Sequence, residues 1–272
     1  MGGVNAVVEA MRNVASVGAT PHAISDCLCF GNPEKPHQMW EFVEAVRGVS
    51  DASIGIKLKE NQDHPTPIIA GNVSFYNESK SGAIPPSPIV SCLGKINNVK
   101  KSVSMSFKNE TSIILMVGSR KNELGGSLFY DIHGELGANV PTPNLEEVKN
   151  QIYAITDCIE EKLFLSCHDI SDGGLAVAIS EMTFGNNIGC DVVVPGSLAL
   201  EKLVFSETGG FIIETEPQHL QQIKNIFKAH DIDYYNIGNT SDNGRIRMND
   251  AIDLGVNEAK SLWSNGLRDK IK

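Results

Sequence analysis

Ser25-Asp26-Cys27-Leu28-Cys29-Phe30-Gly31-Asn32-Pro33-Glu34 and, 45 positions on, Ala70-Gly71-Asn72-Val73-Ser74-Phe75-Tyr76-Asn77-Glu78 decide how this chain is read. Each segment follows an apolar run and breaks into small polar residues, as a strand end does where its backbone meets a ligand. Glycine permits close approach or positive φ, and asparagine tolerates left-handed geometry while offering an amide oxygen. Aspartate and asparagine are also hard oxygen donors suited to magnesium and phosphate chemistry. Either segment alone reads better as a plain turn or bulge, since Gly-Asn-Pro is good turn chemistry. Together, at the ends of apolar strands where open sheets place ligands, they point to a hollow shared by Asp26 and Asn72.

Around these segments strands and helices alternate. Val4, Val7, Val8, Met11, Val14 and Ala15 follow a helical period. A strand near 22–29 carries the first segment, and Pro33 and Pro36 break the chain after it. A second helix places Met39, Phe42, Val43 and Val46 on one face. Residues 57–64 are polar and read as an exposed loop or frayed helix end. Pro67-Ile68-Ile69-Ala70 is a strand feeding the second segment, and Pro85, Pro86 and Pro88 make a rigid bend before a strand at 89–93.

Residues 97–109 read as a linker between two domains, 1–97 and 106–272. Beyond it, 112–117 is a buried strand, and Pro143 opens a helix with Leu145, Val148, Ile152, Ile155 and Ile159 on its apolar face. Strands are expected at 190–194, 211–214 and 234–237, with helices near Leu198 and Leu220. The alternation implies α/β or α+β architecture in both domains.

The 272 residues are 41% apolar and carry a net charge of −10, with no basic patch, which argues against nucleic acid as a partner. No apolar run reaches the roughly 20 residues of a membrane span, and the N-terminus lacks a signal-peptide pattern. The six cysteines, 27, 29, 92, 158, 167 and 190, read as reduced thiols of a cytoplasmic protein. Cys27-Leu28-Cys29 lacks the spacing and the partner pair of a zinc knuckle. There is no Walker sequence and no Gly-x-Gly-x-x-Gly after a strand.

His168-Asp169-Ile170-Ser171-Asp172-Gly173-Gly174 looks like a nucleophilic triad only by clustering. Asp172 reads better as a helix N-cap, with the glycines exposing N–H groups where a phosphate could dock. Glu123 to Ser127 reads as a turn into a short helix, and Phe205 to Gly210 as a hairpin turn.

Asn5 to Asn13, Asp26 to Pro36, Met39-Trp40, Gly71 to Glu78 and His168 to Leu175 together resemble one family. Over almost its whole length the chain is similar to the C-terminal half of the phosphoribosylformylglycinamidine synthase large (synthetase) subunit, of the aminoimidazole ribonucleotide synthetase-like superfamily. The resemblance implies an ATP-dependent carbon–nitrogen ligase of purine biosynthesis. Formylglycinamide ribonucleotide is activated by ATP as an iminophosphate and attacked by ammonia from a glutaminase subunit or domain. It implies ATP contacts at Asp26 and Gly71, a magnesium (Mg2+) ligand at Asn72, and a substrate contact at Ser74.

The family's catalytic histidines and main acidic magnesium ligand belong to a first copy of this two-domain unit. The resemblance therefore implies no catalytic residue here, a missing N-terminal half as partner, and no activity from the chain alone. It implies a first domain short of its opening strands and a sheet surface open to homodimer formation. Asp169 and Ser206-Glu207 would face a pseudo-equivalent site. Two departures stand out: residues 57–64 make a longer connection than is usual, and Gly210 stands where arginine is frequent. The alternatives are a non-catalytic ATP-binding or assembly module, and another ATP-dependent enzyme of the superfamily.

Overall fold

In the computed structural model, which describes residues 1–271, the chain opens with helix α1 (Gly2–Ser16). Val7, Val8, Met11 and Ala15 recur every three or four residues and are all fully buried. Strand β1 (Thr20–Cys29) follows, then helix α2 (Pro36–Gly55). Hairpin β2 (Lys57–Leu58) and β3 (Asn61–Pro65) leads to β4 (Ile68–Ser74). A small pair, β5 (Glu78–Ser79) and β6 (Gly82–Ala83), precedes β7 (Ser87–Lys95). The sheet of this first unit has the order β4-β1-β7, with β1 parallel to β4 and antiparallel to β7.

The second unit begins with β8 (Ile113–Val117), α3 (Leu128–Asp131) and α4 (Leu145–Glu160). Next come β9 (Ser166–Ile170), α5 (Gly174–Phe184), β10 (Gly189–Val192), α6 (Leu200–Phe205) and β11 (Gly210–Thr215). It ends with α7 (Leu220–Ala229), β12 (Tyr234–Ser241), β13 (Arg245–Met248), β14 (Ile252–Gly255) and α8 (Val256–Lys270). Its seven-stranded sheet runs β14-β13-β10-β12-β8-β11-β9.

Helices cover both faces of this sheet, so β8 is buried at every position. Ile113, Leu115 and Val117 enter one core with α4 and α7, while Ile114 and Met116 enter the other with α5 and α6. Each such side chain contributes about 1.5–3 kcal/mol of burial. The first core continues through α1 into the first unit, joining Ile152, Ile155 and Ile159 of α4 to Ile24, Val49 and Ile56. Helices α1 and α2 cross at backbone contact: a Cβ on Gly3 would lie 2.4 Å from the Ala45 carbonyl oxygen.

Several expectations need correction. Residues 57–65 form a hairpin, not a loop or helix end, because Lys59 anchors it to α4. Its Nζ donates to the Tyr153 carbonyl (3.1 Å) and Thr156 Oγ1 (2.7 Å) and pairs with Asp157 (2.6 Å). On α2, Phe42 turns inward between Phe30 and Phe75, but Met39, Val43 and Val46 are exposed. The buried side is Gly48, Val49, Ala52 and Ser53, since close contact with α1 selects small residues there.

Within 97–109, residues Val99–Lys101 form a 3-10 turn and Ser104 bridges to Ser166, so the segment is partly built into the fold. Helix α4 starts at Leu145, after Pro143, because the Asn144 side chain caps the N–H groups of Glu146 and Glu147. The run 205–210 joins a helix to a strand and is not a hairpin turn.

Candidate functional site

The four residues singled out near the strand ends divide between two faces. Asp26 pairs with Gly71 in the parallel register, and Cys27 pairs with Asn72. Side chains alternate along a strand, so Asp26 and Asn72 point to opposite sides of the sheet. A Cβ on Gly71 would lie 2.9 Å from Asp26 Oδ1, so Gly71 makes room for that carboxylate. The Asn72 amide instead meets the Cys27 thiol at 3.5 Å. Burial raises the Asp26 pKa, and a hydrogen bond from the Asn72 backbone N–H opposes this. Ser74 contacts the Asn77 side chain. The hollow expected between residues 26 and 72 is therefore absent. Gly31 is also not a point of ligand approach, since it is buried against Gln38 and Ala83.

Magnesium finds a poor fit at Asn72. Its neighbour is a thiol, and magnesium selects oxygen in octahedral geometry. Among the described residues no group of three His, Cys, Asp or Glu side chains is placed to hold a metal ion.

A separate cleft lies elsewhere, between α1 and the loops of the second unit, with a volume of 270 Å³. Asn5, Glu9 and Arg12 line it from α1. Lys121 and the glycines 125 and 126 come from the loop after β8, Thr142 from the approach to α4, and Asp172, Glu207 and Thr208 from opposite loops. None of Asp26, Gly71, Asn72 and Ser74 lines it.

Glu207 organises this cleft. Its Oε1 accepts the backbone N–H groups of Leu128 and Gly173, each at 2.9 Å. The Gly173-Gly174 turn, offered to a phosphate by the sequence, and the start of α3 are thus bridged by the protein's own carboxylate. Burial raises the Glu207 pKa, the two N–H groups lower it, and Asp172 raises it again. Asp172 is not the N-cap of α5. Gly173 takes that position with φ +75°, and Gly174 is packed against the backbone of 204–206, where a Cβ would lie 2.7 Å from the Ser206 oxygen.

Two buried arginines flank the cleft. The Arg12 guanidinium lies against Gly209, where a Cβ would come 2.3 Å from Nη1. Burial lowers the Arg12 pKa, and the charges of Asp169 and Glu9 oppose that. Arg120 donates to the backbone oxygens of Ser206 and Thr208, yet its Nε and Nη1 are buried without partners. Burial, then repulsion from Arg12, brings its pKa down to about 10. Glu123 ties the rim together by accepting from Thr208 Oγ1 (2.6 Å) and the Thr142 N–H (3.2 Å).

The alternation of β9 separates His168 from Asp169. His168 lies between Asp169 (3.2 Å) and Glu181 of α5 (2.9 Å), so both ring nitrogens are taken by carboxylates and neither is bonded to a serine. Asp169 is buried on the α1 side, where the Asn13 amide nitrogen reaches its Oδ1 at 2.9 Å. Burial disfavours the charged imidazole, but hydrogen bonds and charge from the two carboxylates outweigh it and raise its pKa to about 9.

The cleft lining holds no histidine or cysteine among the described residues. It offers fixed donors, acceptors and charge, which suits binding and orientation without a protein nucleophile. Arg12, Lys121 and Glu9 escaped the sequence reading as site residues. The polar positions of the α1 period, Asn5, Glu9 and Arg12, were the available signal.

Comparison with known proteins adds two kinds of likeness. Profiles of the AIR synthase related protein family match as its N-terminal domain over residues 1–96 and its C-terminal domain over 111–250. Phosphoribosylformylglycinamidine synthase subunit PurL of Methanothrix thermoacetophila is 40% identical over 278 aligned residues, covering 100% of this chain and 36% of that protein. The PurL subunit of Alkaliphilus metalliredigens is 35% identical, covering 97% and 35%. The chain thus spans about a third of the length of these curated relatives.

Among solved structures, T. maritima PurL complexed with FGAR superposes with a TM-score of 0.73 at 20% identity, covering 95% of this chain and 42% of that one. Hydrogenase maturation protein HypE gives 0.65 at 17%, covering 90% and 78%. Both likenesses concern the fold.

Proposed function

The chain belongs to the AIR synthase related protein family, and from that membership we propose that it is the C-terminal part of a phosphoribosylformylglycinamidine synthase synthetase subunit. The 40% identity to a PurL subunit over the full chain is the observation that carries this reading. The activity is ATP-dependent conversion of formylglycinamide ribonucleotide to its amidine with ammonia from a glutaminase partner, in the cytoplasm. Its two units, 1–97 and 106–272, work with the remaining two-thirds of the subunit and have no synthetase activity alone.

In this reading Asp26, with Gly71 clearing space beside it, contacts ATP, and Ser74 contacts substrate from the opposite face. Asn72 would provide at most one oxygen to magnesium. When bound, magnesium neutralises phosphate charge. The exposed residues Ile89 and Leu93, on the Cys27 face of the first sheet, support docking of the missing half, or of a second copy in its absence. The cleft at Arg12 and Glu207 takes a polar, anionic ligand in a positioning role.

The test is ADP release from ATP with formylglycinamide ribonucleotide and ammonia. The chain mixed with the upstream half should be active, the chain alone inactive, and Asp26→Ala should abolish the mixed activity with the fold intact. Activity from the chain alone, or an unaffected Asp26→Ala mixture, would overturn the proposal. Nucleotide binding by the chain without any activity in the mixture would favour an ATP-binding assembly module instead.

A further inference from the structure

The charges around the cleft at α1 do not suit a plain anion. Asn5, Glu9 and Arg12 follow one another at four and three residues, so one stripe of α1 faces the cleft. Arg12 is 5% exposed, and its Nε is buried without a hydrogen-bond partner. Its guanidinium lies against Gly209, which also lines the cleft, so the unpartnered group stands at the cleft wall. A buried donor without a partner is destabilising, and a bound acceptor would satisfy it.

Lys121 is the other cation of the lining, whereas Glu9, Glu123, Glu147, Asp172 and Glu207 bring carboxylates. Glu9 on α1 and Glu207 on an opposite loop are both half-buried. Burial raises the pKa of each, and the negative charge of Asp172 adds to it. A cation among these three carboxylates would relieve that repulsion.

Simpler ligands match only half of this lining. Phosphate would need the N–H groups of Leu128 and Gly173, which already bond Glu207, and would face more carboxylates than cations. A divalent ion would leave Arg12 unpartnered, and no group of three His, Cys, Asp or Glu among the described residues is placed to hold one.

We propose that the cleft binds a small α-amino acid, with its carboxylate on the Arg12 guanidinium and its ammonium among Glu9, Asp172 and Glu207. This deepens the reading of the cleft as a positioning site for an anionic group and rests on it, but not on the contacts assigned to Asp26, Gly71 and Ser74. Three residues of helix separate Glu9 from Arg12, ~4.5 Å along the axis, so one small molecule can meet both. Val140, Pro141 and Pro143 make an apolar wall, which selects a short uncharged side chain. The volume of 270 Å³ lies just under the ~300–1,000 Å³ of sites for drug-sized ligands. Val90 and Cys92 of β7 pack into the core beneath α1, so Ile89 and Leu93 lie on the other face of the sheet, and docking there does not cover α1.

The experiment measures binding of L-alanine and L-serine to the full chain by isothermal titration calorimetry. Beside them stand propionate, which lacks the ammonium, ethylamine, which lacks the carboxylate, and L-glutamate and L-lysine, which add a charge. The expected result is one equivalent of alanine or serine per chain, with the other four weaker by at least about tenfold, the scale of one charge-assisted hydrogen bond. Glu9→Gln and Arg12→Met should each weaken alanine binding by at least about tenfold. Should Arg12→Met misfold, Glu9→Gln carries the comparison.

Propionate binding as tightly as alanine, or alanine binding unchanged in Glu9→Gln, overturns the amino-acid assignment while leaving an anion site. Inorganic phosphate that binds and is not displaced by alanine overturns it in the same way. No binding by any of these probes overturns the reading of the cleft as a ligand site as well.

Discussion

Replacing His168 by glutamine should destabilise the fold by up to ~3 kcal/mol at about pH 6 and by progressively less as pH rises, and the magnitude follows from its surroundings. The β9 alternation turns the ring toward α5, between Asp169 and Glu181, with its side chain only 15% exposed. Glu181 also accepts from Trp263 Nε1 at 2.9 Å, so its second oxygen is held by α8. Folding moves the imidazole from 6.5 to about 9. A folded-state pKa above the unfolded one means that the charged ring stabilises the native state fully below pH 6.5, and that this contribution is lost as pH climbs through about 9. At about 1.4 kcal/mol per pH unit, the interval corresponds to ~3 kcal/mol. The side chain is enclosed enough that solvent screening takes little from this. Urea denaturation of both proteins between about pH 6 and pH 10 provides the assay. The difference in unfolding free energy should fall by about 1.4 kcal/mol per pH unit between 6.5 and 9 and level off on either side. A difference independent of pH, or one that widens with pH, would refute the account of a protonated ring clamped by two carboxylates.

Gly210→Ala should cost about 1–3 kcal/mol in urea denaturation, because the new methyl group would lie 2.3 Å from the Val117 carbonyl oxygen, a backbone atom that cannot rotate away. Gly210→Arg should be worse, and tolerance of either would mean that β11 and β8 are spaced more widely than described. Arg12→Met should lower stability by about 1–3 kcal/mol, because it takes a buried positive charge away from the neighbourhood of Asp169, which is 2% exposed. A loss under about 0.5 kcal/mol, measured in the same way, would show that His168 and Asn13 satisfy that carboxylate without Arg12.

The elements that announced themselves in the sequence were those whose neighbours are repeated along one stripe or one strand. The α1 period at Val4, Val7, Val8 and Met11 and the apolar run 113–117 needed no distant partner to be recognised. Strands β13 and β14 were missed because Arg245, Arg247 and Asp253 give them a charged, exposed side that hides the buried Ile246 and Met248. On α2 the period was found but its direction was not, since the buried side carries glycine, alanine and serine and the larger apolar residues face outward.

The separation of Asp26 from Asn72 followed from strand alternation once the register was known, and register is set by pairing across 45 residues that no local pattern reports. The cleft was harder still. Its charges arrive from α1 and from four other stretches of chain, so only the folded arrangement brings Arg12, Lys121 and Glu207 together. Arginine was expected near position 210, and a guanidinium does reach that neighbourhood, but it is carried there by Arg12 of α1 against Gly209.

The first helix has a consequence for how the molecule comes apart. Because α1 contributes the same buried stripe to the layer beneath β1 and to α4, a cut near residue 100 would leave neither piece with a closed interior. The amino-terminal piece would expose Val7, Met11 and Ala15, and the carboxy-terminal piece would expose the side of Ile152, Ile155 and Ile159 that now meets them. Unfolding should then proceed as one cooperative event, and neither unit can be transplanted into another protein without bringing along the surface that the helix seals.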